Sequence, residues 1–256
     1  NPALYTGVFS LIRDIFGKLE QSKINSFTSS HFSFNSSLGQ CPSCQGHGFE
    51  KIELQFLSDL SLQCPLCKGT KYKKDVVSIR YNEKSIVDVL NLSVSQAKTF
   101  FSEKQNVIKK LEPLIDVGLG YLKLGQSLST LSGGELQRLK IADHLLSGEK
   151  ISSKLNKKTL FIFDEPTTGL HLADVKNLLI ALRKLTESGH TVIVIEHCLE
   201  FINNSDWIIE LGPGAGKKGG NVLAQMPPKN LKTTNTNTGL ALASTSSRKT
   251  PKLENS

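Results

Sequence analysis

Two Cys-x-x-Cys pairs, Cys41-Pro42-Ser43-Cys44 and Cys64-Pro65-Leu66-Cys67, constrain this chain more than any other feature, and nineteen residues separate them. At that spacing two thiolate knuckles can close a tetrahedron around one Zn²⁺. Gly46, Gly48 and Gly69 follow the knuckles, where a residue without Cβ lets the backbone turn tightly and bring its amides toward sulfur. A closed four-Cys site leaves no coordination position for water or substrate, so the metal is expected to hold shape and not to catalyse. Two reduced surface Cys pairs are the competing reading. The fifth cysteine, Cys198, stands alone, and with no export signal in view, metal binding is expected over disulfides.

Directly after the second knuckle comes Lys68-Gly69-Thr70-Lys71-Tyr72-Lys73-Lys74. Lys68, Lys71, Lys73 and Lys74 are candidate DNA contacts, able to neutralise phosphates while Tyr72 stacks a base. A solvated lysine face is the alternative, and the pattern leaves both open. The whole chain leans the same way: Lys and Arg outnumber Asp and Glu by 31 to 23 over 256 residues, a net charge of +8, which favours polyanionic partners. No run approaches the roughly 18 apolar residues of a membrane span. A cytoplasmic protein without a membrane partner is expected. The sequence starts Asn1-Pro2-Ala3 and its one methionine is Met226, so a fragment is expected.

The periodicities point to an α/β fold. Val8 to Phe16 carries apolar residues at helical intervals and is expected to pack in a core. Lys51 to Leu57 alternates like a strand, and Ser85 to Leu124 is mainly helical, punctuated by Pro113, Gly118 and Gly120. A helix is expected from about Glu135 to Leu146, then a polar, Lys-rich loop from Ser147 to Lys158. Two continuous apolar runs, Leu160 to Phe163 and Thr191 to Ile195, flank an amphipathic helix from about Ala173 to Glu187. That order is a βαβ unit with a parallel sheet buried on both faces. Trp207 to Leu211 is a candidate further strand. From Gln225 onward Thr, Asn, Ser, Lys and Pro dominate, and Gln225 to Ser256 is expected to be a disordered tail.

The βαβ unit delivers chemistry at its strand ends. Leu160 to Phe163 runs into Asp164-Glu165 at the carboxyl end of a strand, where open α/β sheets place ligands. Asp164 can hold Mg²⁺, and Glu165 can orient or deprotonate an attacking water. The second strand ends Glu196-His197, where an imidazole can contact a γ-phosphate. Upstream, Leu131-Ser132-Gly133-Gly134-Glu135 opens a helix, with Ser132 as N-cap and two glycines that let amides approach an anion. No Gly-x-x-x-x-Gly-Lys-Ser/Thr phosphate loop occurs; Gly212 to Lys218 imitates one, lacks its Ser/Thr and is expected to be a loop.

Leu-Ser-Gly-Gly-Glu, the strand ending Asp-Glu-Pro-Thr-Thr-Gly-Leu-His and the strand ending Glu-His together resemble the signature, Walker B, D-loop and H-loop of ATP-binding-cassette ATPases. With the inserted four-Cys module the resemblance narrows to the UvrA family of the bacterial UvrABC excision nuclease. Asn1-Pro2-Ala3, Tyr5 to Phe9, Phe32 to Asn35, Val117 to Tyr121 and Ala142 look like that family too, so the likeness spans about Asn1 to Ala224.

The resemblance implies an ATP-binding-cassette domain in five parts: a partial cassette segment at 1–39, the inserted zinc module at 40–80, a helical signature subdomain at 81–130, the rest of the cassette at 131–224 and the tail at 225–256. It implies ATP with Mg²⁺, Asp164 as the metal-associated carboxylate, Glu165 as catalytic base and His197 as γ-phosphate sensor. Ser132, Gly133, Gly134 and Glu135 become the signature that closes over a nucleotide held by the opposite cassette. Cys41, Cys44, Cys64 and Cys67 match the family's second zinc module. Double-stranded damaged DNA, UvrB and a second copy of the complete protein are the implied partners, in nucleotide-excision repair. The family's phosphate loop lies upstream, so isolated hydrolysis is expected to fail. The 147–158 loop, Asp143-His144 and the tail depart from the family. A UvrA-like paralogue or inert zinc-dependent DNA-binding fragment, and a transporter's ATP-binding subunit, are the alternatives, the zinc module speaking against the last.

Overall fold

The computed structural model describes residues 1–52, 60–148, 158–214, 216 and 219–246. They fall into two compact units, Asn1–Leu155 and Asn156–Ser256.

The first unit opens with α1 (Pro2–Tyr5), α2 (Val8–Gly17) and α3 (Glu20–Ile24). Val8, Phe9, Ile12 and Phe16 of α2 are buried, as the helical spacing requires, and Phe16 meets Phe32 at 5.3 Å between ring centres while Phe9 meets Phe34 at 5.4 Å. A hairpin follows, β1 (Phe49–Ile52) antiparallel to β2 (Leu60–Gln63). β1 starts two residues before the run expected to be a strand and takes in its first two residues, Lys51 and Ile52, while the remainder from Glu53 lies outside the described residues. The hairpin sits between the two cysteine knuckles.

The chain leaves for this module and returns at one place. The Cys41 amide donates to the Lys71 carbonyl at 2.9 Å, and the Lys73 amide donates to the Gly39 carbonyl at 2.9 Å. Beneath that clasp the buried Tyr72 hydroxyl donates to the Phe32 carbonyl at 3.1 Å. Burial pushes the Tyr72 hydroxyl far above the usual phenol range, so it stays a neutral donor at physiological pH.

Further α-helices of the unit are α4 (Lys74–Ser78), α5 (Ile86–Asn91), α6 (Val94–Phe100), α7 (Gln105–Asp116) and α8 (Gly133–Gly148). Ser85 and Ser93 cap α5 and α6 through reciprocal bonds with Asp88 and Gln96, which satisfies amides a helix start leaves without partners. Val107, Leu111 and Leu114 of α7 are buried, and α7 packs against α2, α6 and α8. α8 is the helix expected after the double glycine, beginning two residues earlier. The polar loop expected after it lies mostly outside the described residues.

The second unit holds β3 (Leu160–Asp164), α9 (Leu172–Glu187), β4 (Thr191–Ile195), α10 (Leu199–Asn203), β5 (Ile208–Gly212), β6 (Asn221–Met226), α11 (Pro228–Leu231) and α12 (Asn237–Ser246). β3 and β4 pair in parallel, with Leu160 opposite Thr191 and Asp164 opposite Ile195. This is the βαβ unit read from the sequence. One expectation needs correction: among the described residues, the sheet is buried on one face only. α9 supplies buried Val175, Leu178, Leu182 and Leu185, and Phe161 and Phe163 are buried, while Leu160, Ile162, Ile193 and Ile195 are at least half exposed. Continuous apolar strands ask for cover on both faces, and the described residues supply it on one.

The tail needs correction as well. Gln225 and Met226 complete β6, which pairs antiparallel with β5, and α11 and α12 bring Leu231 and Leu242 to full burial beside Ala224. A few well-placed leucines on short helices, docked on an existing strand pair, bury enough surface to order a polar segment. Residues 247–256 lie outside the described residues. Among the described residues, no helix is long and apolar enough to cross a membrane.

Candidate metal and nucleotide sites

Cys41, Cys44, Cys64 and Cys67 converge, with all four sulfurs within 4.8 Å of one another. Cys41 and Cys64 sulfurs lie 3.9 Å apart, and Cys44 and Cys67 sulfurs 3.6 Å apart. A tetrahedron with metal–sulfur bonds of about 2.3 Å has edges of about 3.8 Å, so the cage fits a tetrahedral ion. The Gly48 amide donates to the Cys44 sulfur at 3.1 Å, the amide approach that the glycine spacing leads one to expect. Gly46 has φ of +84°, and a Cβ there would lie 1.9 Å from the Phe34 carbonyl oxygen. All four cysteines are buried. Burial pushes the Cys67 thiol up to about 12, whereas hydrogen bonds, led by the one from the Cys67 backbone amide, bring the Cys64 thiol down to about 7.

The four lysines beside this cage do not act alike. Lys73 is tied down, its Nζ donating to the Ser37 carbonyl at 3.0 Å, and the Lys71 ammonium lies over the Phe34 ring at 5.3 Å. Lys68 and Lys74 are exposed. Tyr72, the candidate stacking ring, is buried in the clasp and is not available to a base.

Ser132 begins α8 as a capping box. The Glu135 amide donates to the Ser132 hydroxyl at 3.3 Å, and the Ser132 amide donates to Glu135 Oε2 at 2.6 Å. The other carboxylate oxygen accepts from the Tyr121 hydroxyl. Burial alone would raise the Glu135 carboxyl, but the bonds from Tyr121 and Ser132 outweigh it and hold it below the usual carboxylate range. Glu135 is thus engaged in shaping the loop, and a Cβ at Gly133 would meet nothing within 4 Å, leaving that backbone open to an approaching ligand. Tyr121 is a partner that motif reading passes over, because it lies fourteen residues upstream of the carboxylate it touches.

In the second unit β3 and β4 deliver Asp164, Glu165 and His197 to one carboxyl edge. Glu165 Oε1 lies 3.5 Å from His197 Nδ1, both side chains more than half exposed. The Glu165 backbone has φ of +46°, a left-handed conformation that costs a non-glycine residue free energy unless neighbours impose it. Its amide donates to the Ile195 carbonyl at 2.9 Å, extending the parallel ladder one residue past β3. The two exposed groups lie side by side beyond the paired strands, where a ligand can reach both from solvent.

No protein-family model matches the chain. UvrABC system protein A of Thermus thermophilus is 45% identical over 243 residues, 95% of this chain and 25% of that protein. UvrABC system protein A of Helicobacter pylori strain J99 is 48% identical over 247 residues, 95% of this chain and 26% of that protein. The crystal structure of UvrA2 from Deinococcus radiodurans superposes with a TM-score of 0.79 at 39% identity, over 95% of this chain and 29% of that one. The chain belongs to the UvrA family. It spans about a quarter of the length of the UvrA proteins it matches, and the fold, four-Cys module included, is of the UvrA type, the α/β kind expected of an ATP-binding cassette.

Proposed function

We propose that this chain is the signature, Walker B and H-loop portion of a UvrA ATPase that couples ATP binding and hydrolysis to recognition of double-stranded damaged DNA and loading of UvrB in nucleotide-excision repair. The observation that carries the reading is the pair of Glu165 and His197, 3.5 Å apart at the carboxyl edge of a parallel strand pair. In this reading Glu165 takes a proton from water as the water oxygen bonds to the γ-phosphorus, and the bond from that phosphorus to the bridging oxygen breaks, leaving ADP and phosphate. His197 contacts the γ-phosphate and registers its presence. Asp164 would hold Mg²⁺, which would neutralise charge on the nucleotide. Gly133 and Gly134 offer amides, and Ser132 its hydroxyl, to a nucleotide on the opposite cassette of the complete protein, which acts as a homodimer.

A phosphate loop has to come from another part of the complete polypeptide. Among the described residues β4 and β5 are not paired with each other, and a cleft of about 790 Å³ between them is lined by Val192 to Ile195 on one side and Ile208 to Leu211 on the other. Unpaired strand edges facing one cleft invite a further strand, which supports a cassette finished by residues outside this chain. The thiolate cage is assigned to Zn²⁺, whose four-sulfur tetrahedron matches the sulfur separations, and a reduced, metal-binding cysteine set fits a cytoplasmic setting.

The test is Glu165→Gln in the complete protein with its second nucleotide site inactivated. ATP binding is expected to persist while turnover falls by roughly 100-fold or more; undiminished hydrolysis would overturn the assignment.

A further inference from the structure

Glu196, the residue before His197, accepts three backbone hydrogen bonds at this edge. Its Oε1 accepts from the Thr167 amide at 2.9 Å. Its Oε2 accepts from the His197 amide at 3.0 Å and the Cys198 amide at 3.2 Å. One carboxylate therefore spans twenty-nine residues of sequence, joining the turn that follows Glu165 to the backbone that carries the imidazole.

The turn it grips is the one that aims the proposed base. Thr168 donates its amide to the Glu165 carbonyl at 3.1 Å, closing a four-residue turn, and Pro166 inside that turn is buried. Glu165 enters the turn at φ of +46°, and such a conformation persists only where the surroundings over-determine it. Two tethers do so from the β4 side: the Ile195 carbonyl accepts from the Glu165 amide, and Glu196 accepts from Thr167. Both tethers come from consecutive residues just before His197.

We propose that Glu196 is a positioning residue for the hydrolytic step, its carboxylate locking the Glu165 turn to the His197 backbone so that the two side chains keep their spacing. The inference rests on the hydrolytic reading of Glu165 and His197. Glu196 touches no reacting atom; it acts through the two groups it ties together. A loose base loses rate while the rest of the nucleotide contacts survive, because small misplacements of a reacting group act on the transition state more than on binding.

The experiment compares Glu196→Ala, Glu196→Gln and Glu165→Gln in the complete protein with its second nucleotide site inactivated, reading the affinity for a fluorescent ATP analogue, kcat, and the melting temperature. For the Glu196 variants, affinity is expected to stay within about threefold while kcat falls about tenfold or more. Glu196→Gln is expected to lie between wild type and Glu196→Ala, since one amide oxygen can accept from one of the two backbone segments and not both. If Glu196→Ala does not fold, Glu196→Gln, which keeps the side-chain volume, carries the test. Unchanged kcat in the folded Glu196 variants, with Glu165→Gln inactive, overturns the positioning role alone. A fall in affinity matching the fall in kcat, with a lowered melting temperature, also overturns it, because packing then explains the loss. Normal turnover in Glu165→Gln overturns the hydrolytic reading itself.

Discussion

The Thr238 amide donates a hydrogen bond to Glu210 Oε1 at 3.2 Å, so a carboxylate on β5 caps the first turn of α12. An acceptor placed there satisfies an amide that a helix start leaves without a partner and meets the positive end of the helix dipole. Burial alone would raise the Glu210 carboxyl, but bonds from Thr236 and Thr238 outweigh it and hold it below its ordinary value of 4.5.

Because that value is lowered in the folded state, its stabilising contribution is present above the unfolded value and fades as pH falls through the folded one. Amide exchange in residues 239–246, corrected for intrinsic rates, is therefore expected to quicken on acidification below about pH 4.5. Glu210→Ala is expected to cost about 1 kcal/mol as a lost cap and to remove that pH dependence. Equal protection in wild type and variant across the range would contradict the capping role.

The thiolate cage makes a second prediction, read by metal analysis and not by activity. Wild-type protein is expected to carry one Zn²⁺ per chain at this cage, and replacing Cys41 and Cys44 by Ser to release it and unfold the module. Gly46→Ala keeps every ligand, yet is expected to lower metal affinity, because its Cβ would lie 1.9 Å from the Phe34 carbonyl oxygen on a backbone held at φ of +84°. Metal retention unchanged in Gly46→Ala would mean that the clasp yields.

Salt dependence separates the lysines. Lys68 and Lys74 are exposed, whereas Lys73 is bonded to Ser37 and Lys71 lies over Phe34. In the complete protein, Lys68→Ala and Lys74→Ala are each expected to lower the slope of log affinity for duplex DNA against log salt by about 0.9. Lys73→Ala is expected to loosen the clasp more than the slope. Slopes equal to wild type for Lys68→Ala and Lys74→Ala would return the cluster to a solvated face.

Much of the site was legible because its signals are local. The Cys-x-x-Cys spacing places sulfurs within one knuckle, and an apolar run ending Asp164-Glu165 or Glu196-His197 places its polar residues at a strand end. Glu196 went unread as a functional group because its partner Thr167 is distant in sequence and offers a backbone amide, which no residue identity reveals. Composition misleads about the tail for a related reason: it averages over a segment, whereas Leu231 and Leu242 stabilise the segment by where they land.

By itself the sequence determined the βαβ order, the cysteine cage and the strand ends that carry Asp164, Glu165 and His197, since each follows from spacing and periodicity along one stretch of chain. The tertiary structure alone decided that Glu165 sits in a strained turn tethered to β4, that Tyr72 is a buried clasp and not a stacking ring, and that among the described residues one face of the β3–β4 sheet is covered by α9. Those outcomes depend on hydrogen bonds and burial between residues far apart in sequence, where the free energy of a contact depends on geometry that no local pattern encodes.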